Sequence, residues 1–136
     1  MKRLQLPLDA QAVAALAVGD QVLLDGDITV SIGLPTHKRM AEDIGAGRAL
    51  PVDLAGGAFF HLSTYVRETQ DRREALYLNP STSTRYNPWM PQLVRGLGLR
   101  LVGGKGGLDA ASVAALREAG CVYVSFLGAA FALLSE

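Results

Sequence analysis

The apolar positions switch between a helical and an extended period along the first third of the chain. Ala10-Gln11-Ala12-Val13-Ala14-Ala15-Leu16 follows Asp9 and precedes Gly19, which predicts a short helix N-capped by Asp9. From Asp20 to Ile32, the residues Val22, Leu24, Ile28, Val30 and Ile32 share one parity, the spacing of a half-buried strand. Asp25-Gly26 in its middle reads either as a hairpin turn or as a bend in one long strand, because the parity is the same on both sides. Gly33 to Met40 leads into a helix reaching about Ile44, closed by Gly45 and Gly47. Pro51 to Leu54 reads as an extended linker, and Ala58-Phe59-Phe60-His61-Leu62 as a second strand in which His61 is a structural or surface group.

The pattern then changes. Tyr65 to Glu74 is polar and of mixed charge, which predicts an exposed loop or short helix. Ala75 to Leu78 is a third strand, Pro88 to Gly96 a helix with Trp89, Leu93 and Val94 turned inward, and Leu99 to Val102 another strand. Asp109 caps a helix over Ala110–Ala119, Cys121 to Val124 is a strand, and Gly128 to Leu134 a terminal helix. Strand and helix alternate from residue 75 onward, so parallel pairing through right-handed crossovers is expected there. The fold class is α/β: a single domain with a mixed or partly parallel sheet and flanking helices.

Composition narrows the function. At 136 residues the chain is one domain with room for a core. Thirteen basic residues balance thirteen acidic ones, so no global field favours nucleic acid or an anionic membrane. The single cysteine, Cys121, closes no intrachain disulfide and cannot alone hold a zinc ion or an iron–sulfur cluster, so no metal site is expected. The first seven residues lack the apolar core of a signal peptide, and no apolar run reaches a membrane span. A cytoplasmic protein is expected.

One stretch carries chemistry instead of core. Four consecutive hydroxyl residues, Ser81-Thr82-Ser83-Thr84, precede Arg85 and bring little apolar area to bury. Hydroxyls and backbone N–H groups donate hydrogen bonds, and a guanidinium offers a fork to a carboxylate or phosphate. Further on, Gly103-Gly104-Lys105-Gly106-Gly107 sets one cation between glycines that let a backbone approach a ligand closely. Either piece alone reads equally as an ordinary turn. Joined by one helix and one strand, they point to an anion site. The second piece is not a Walker A loop, because Leu99 and Gly106 stand where that loop needs glycine and a hydroxyl residue.

The chain resembles the β subunit, or carboxy-terminal domain, of the iron–sulfur class I fumarase and L-tartrate dehydratase family. The resemblance rests on Leu6-Pro7-Leu8, Gly19-Asp20, His37-Lys38-Arg39, Leu50 to Leu54, Pro80 to Arg85, Gly104 to Gly107 and Gly128-Ala129-Ala130, in that order. It implies a swivelling β/β/α domain and a hydro-lyase reaction on a small hydroxy acid or unsaturated carboxylate. It also implies an α partner that carries the [4Fe-4S] cluster on its own cysteines, in a hetero-oligomer. By the same resemblance Ser81, Lys105 and His37 take catalytic roles, while Thr82, Arg85, Lys105 and Gly104 bind substrate. Ser81 stands where the family has threonine, Tyr86-Asn87 where it has Met-Asp, and Gly33 where it has an arginine that holds a substrate carboxylate. The last change implies a substrate other than fumarate, malate or tartrate. A non-catalytic binding or regulatory module, or a purely structural subunit, is the alternative, and the isolated chain could self-associate.

Overall fold

The computed structural model describes residues 1–126. The predicted terminal helix over Gly128 to Leu134 lies outside the described residues.

Two strands of alternating side chains build the centre. In β4 (Ala58–Phe60) and β7 (Leu101–Gly104), Phe59 and Val102 point to one face, and Ala58, Phe60 and Leu101 to the other. Burial on both faces is the mark of a covered parallel sheet. The strands β3 (Thr29–Val30), β4, β7 and β8 (Val122–Ser125) run parallel in that order, with Phe59 beside Val102 and Val102 beside Tyr123.

The helices α2 (Leu34–Gly45), α3 (Met90–Leu97) and α4 (Ala110–Ala119) cover the Phe59 face, where Met90, Leu93, Val94, Leu99 and Leu116 pack. The other face packs on a parallel ribbon of β1 (Lys2–Gln5) and β2 (Val22–Asp25) and on α1 (Ala10–Ala14), through Leu6, Leu8 and Val13. Layers of ribbon, sheet and helices result, an α/β domain with flanking helices. The caps act as their residues dictate: Asp9 accepts from the Ala12 N–H and Asp109 from the Ser112 N–H, while Gly98 and Gly120 end α3 and α4 in the left-handed region. Trp89 is only half-buried against the helix-side core.

Three expectations change. Residues 20–32 form neither a hairpin nor one long strand. Their halves, β2 and β3, lie in different sheets, one paired with β1 and the other with β4. Shared parity could not reveal a change of partner. Residues 65–74 are not a loop or helix but the outer part of an antiparallel ribbon, β5 (Leu62–Glu68) and β6 (Arg73–Pro80), with a register shift at Tyr65/Val66. Parallel pairing after residue 75 therefore holds for β7 and β8 but not for β6, whose partner is β5. Cys121 is buried just ahead of β8, and burial pushes its thiol up to about 12.

Candidate functional site

The carboxyl ends of parallel strands leave backbone groups unpaired, and ligands commonly bind there. Here the hydroxyl run fills that position. At the end of β6 the Ser81 N–H donates to the His61 carbonyl at 2.7 Å. The Ser81 carbonyl accepts from the Lys105 N–H at 3.0 Å, and the Lys105 carbonyl from the Ser83 N–H at 3.0 Å. Residues 81–83 thus run beside the exit of β7, with Thr82 bridged to Lys105 in parallel. Thr84 Oγ1 donates to the Gly107 carbonyl at 3.1 Å, which ties the glycine-rich turn to a 3-10 turn over Ser83–Tyr86.

The close approach explains Gly104. A Cβ there would overlap Ser83 Oγ and lie 3.2 Å from the Ser81 carbonyl and 3.3 Å from His61 Cβ. Gly104 is buried in β7 and lets the hydroxyl run seat against the sheet.

Four of the six residues singled out from sequence converge. Ser81, Thr82, Arg85 and Lys105 line one depression of about 180 Å³, completed by Ile32, Ser63, Asn79 and Pro80. Arg85 and Lys105 are exposed, and among the described residues no acid lines the depression and neither cation is in an ion pair. Two unpaired cations beside hydroxyl groups suit a carboxylate. Gly104 and His37 are not among the lining residues. A larger groove of about 630 Å³ follows α2, but Asp43 holds Arg48 there at 2.7 Å and none of the six residues reaches it.

His37 lies beneath the depression, with no exposed surface. Its Nδ1–H donates to the Gly33 carbonyl at 2.8 Å, since a carbonyl can only accept. Its ring stacks on Tyr86 at a centroid distance of 4.1 Å, and His61 stacks on Tyr86 at 4.2 Å. Burial lowers the pKa of His37, partly opposed by the hydrogen bond to Gly33. It lowers that of His61 further, to about 3, with His37 adding to the shift. Both imidazoles are therefore neutral at pH 7, and the Nε2 atom of each is buried without a hydrogen-bond partner among the described residues.

Ser83 departs from the expectation that the hydroxyl run stays out of the core. It is fully buried because two groups meet its oxygen: His61 Nδ1 at 2.9 Å and the Tyr123 hydroxyl, which donates at 2.8 Å. Tyr86 stood out in the sequence only as a departure from the family pattern, not as a site residue. Its hydroxyl donates to the Ile32 carbonyl at 2.8 Å and lies 3.3 Å from Ser81 Oγ. The available signal was an aromatic ring directly after a run of hydroxyls and an arginine. Gly33, the position of the absent arginine, precedes α2 next to Ile32 and is half-buried.

No helix among the described residues is long and apolar enough to cross a membrane. Among the same residues, no group of three or more His, Cys, Asp or Glu side chains is placed to hold a metal ion.

The family model described as Fumarase C-terminus matches residues 2–136. The L(+)-tartrate dehydratase subunit beta of Escherichia coli K12 is 32% identical over 120 residues, which cover 88% of this chain and 55% of that protein. A Geobacillus stearothermophilus protein with the provisional name fumarate hydratase class I is 30% identical over 128 residues, 93% of this chain and 24% of that protein. A Methanocaldococcus jannaschii protein, provisionally named L(+)-tartrate dehydratase subunit beta, is 27% identical over 129 residues, 95% of this chain and 66% of its own length. The chain thus spans about half the length of the E. coli subunit.

Proposed function

The chain belongs to the family of fumarase C-terminal, or β-subunit, domains, and on that premise we propose that it completes the active site of a hydro-lyase. The substrate is a small hydroxy acid, or the unsaturated carboxylate formed from it by loss of water. The observation that carries this reading is the convergence of Ser81, Thr82, Arg85 and Lys105 on one depression without an acid in its lining.

The reaction removes a proton from carbon and a hydroxide from the neighbouring carbon, and it returns both in the reverse direction. The developing charge sits on the carboxylate, so preorganised cations lower the barrier. Arg85 clamps a carboxylate as a fork, Lys105 adds a point charge, and Thr82 offers a hydroxyl. Ser81 Oγ handles the carbon-bound proton. A neutral serine is a weak base, so in the dehydration direction the proton passes from carbon to a Ser81 alkoxide stabilised by a cation such as Lys105, and in the hydration direction the resulting hydroxyl returns it to carbon.

The iron–sulfur cluster implied by the resemblance does not fit the residues present. Cys121 is the one cysteine, buried, with a thiol pushed up to about 12. In this reading the cluster resides on a partner α subunit, and this chain supplies carboxylate binding and proton handling.

The test is co-purification with a cluster-bearing partner and assay of a panel of hydroxy acids that includes malate and tartrate. Turnover is expected only from the complex, with the best substrate neither of those two. Ser81→Ala and Lys105→Ala should each cost on the order of 100–1,000-fold in turnover with folding intact, and Ser81→Thr should keep activity. Turnover like the wild type in both alanine variants would favour a non-catalytic carboxylate-binding module instead.

A further inference from the structure

The proposed role of Ser81 needs its Oγ held in one rotamer. We infer that Tyr86 is the positioning residue that holds it: the phenol oxygen accepts a hydrogen bond from the neutral Ser81 hydroxyl and so fixes the rotamer that presents Oγ to the depression. This inference rests on the hydro-lyase reading above.

A phenol has one proton to donate. The Ile32 carbonyl can only accept, and at 2.8 Å it takes that proton from Tyr86. Toward Ser81 Oγ, 3.3 Å away, the Tyr86 oxygen can then act only as acceptor, so Ser81 is the donor. Ser81 Oγ has no other hydrogen-bond partner among the described residues, and Ser81 lines the depression. Its lone pairs are therefore unoccupied by any described residue. At 3.3 Å the Ser81–Tyr86 contact is longer than the usual O–H···O range, so it is a weak bond that biases the position of Oγ more than it adds strength.

The ring cannot swing away. Tyr86 is 1% exposed and lies between the His37 and His61 rings, at 4.1 Å and 4.2 Å. Its anchor is doubled: Tyr86 holds the Ile32 carbonyl while His37 holds the next carbonyl, that of Gly33. Both imidazoles are uncharged, because burial disfavours their protonated forms, so no cation competes for the phenol oxygen. His37 thus acts through Tyr86 and not on the substrate.

The test is Tyr86→Phe in the complex with the cluster-bearing partner, which keeps the stacked ring and removes only the hydroxyl. Loss of one neutral hydrogen bond at this point predicts a fall in kcat of about tenfold with KM unchanged. In a Ser81→Ala background the same substitution should add no further loss. Crystal structures of the two chains give a readout independent of activity: Ser81 occupies one rotamer facing Tyr86 in the wild type and several in the Tyr86→Phe chain. An unchanged single rotamer, or an equal loss of kcat with and without Ser81, overturns the inference. If Ser81→Ala alone leaves turnover intact, it is the hydro-lyase reading that fails, and the rotamer comparison still decides whether Tyr86 positions the serine.

Discussion

Two polar stretches, Arg67 to Glu74 and Ser81 to Arg85, carry little apolar area and fold in opposite ways. The first finds its partners within itself. Arg73 meets Glu68 at 2.9 Å, Arg67 and Arg72 share Glu74 at 3.7 and 3.6 Å, and Thr69 closes the turn with Arg72. A segment satisfied locally has no reason to leave solvent, and it becomes the outer end of a two-stranded ribbon. The second stretch is satisfied from far away in sequence, by His61, Lys105, Gly107 and Tyr123. Those partners pull it against the sheet, and what remains unpaired faces one depression. Polarity alone does not tell the two apart. The sequence distance of the hydrogen-bond partners does.

The comparison breaks most severely at Gly104. In Gly104→Ala the new methyl group would overlap Ser83 Oγ, which is buried and already holds two partners. Neither the sheet nor the hydroxyl run can yield without losing hydrogen bonds. Overpacking of this kind costs about 1–3 kcal/mol, and the upper end is expected. Urea unfolding measures the loss. The depression should lose carboxylate binding as well, because Ser81 and Lys105 are held in register by the same contact. A variant as stable as the wild type would mean that the close approach is not required.

A milder break comes through pH. The unfolded chain titrates His61 near 6.5, whereas in the fold burial holds it at about 3 and lowers His37 in the same direction. Between those values the unfolded state binds more protons, so stability rises with pH. It is complete above about 6.5 and falls as the pH drops toward 3. The slope is about 1.4 kcal/mol per pH unit for each fully affected histidine. Urea midpoints at pH 7.5, 6.5 and 5.5 should step down across the second interval. His61→Gln, although less stable overall, should show a shallower step. A flat profile would mean that the two imidazoles are not held neutral.

Much of this architecture was legible in the sequence. Asp9 and Asp109 marked the starts of α1 and α4, and Ala58 to Leu62, Leu99 to Val102 and Cys121 to Val124 read as the strands that became β4, β7 and β8. Failures came where the deciding contact is distant. β1 reads as Lys-Arg-Leu-Gln, too polar to announce a strand, and exists because β2 offers it a ladder. The split between β2 and β3 leaves no mark on parity. The site was legible to the same degree. Ser81, Thr82, Arg85 and Lys105 are solvent-facing groups that their chemistry betrays. Tyr86 and Ser83 owe their roles to stacking and hydrogen bonds with His37, His61 and Tyr123, which no local spacing encodes.

The smallest effect is expected at the ribbon, and it sharpens the comparison from the other side. Arg73 and Glu68 form its shortest ion pair, 2.9 Å, yet their side chains are 80% and 64% exposed. Water already solvates both ends and salt screens the pair, so removing it should shift stability by no more than about 0.5 kcal/mol. The chain around it is held by the ladder from Leu62↔Pro80 to Glu68↔Arg73, which does not use these side chains. Arg73→Ala should therefore leave the unfolding midpoint and carboxylate binding nearly unchanged. The same Arg-to-Ala change at Arg85, twelve residues further on, should abolish binding at equal stability, because that guanidinium lines the depression and no described acid answers it. Isothermal titration with malate and urea unfolding on the two variants supply the contrast. Equal binding by both would erase the distinction between a polar run closed on itself and one held open for a ligand.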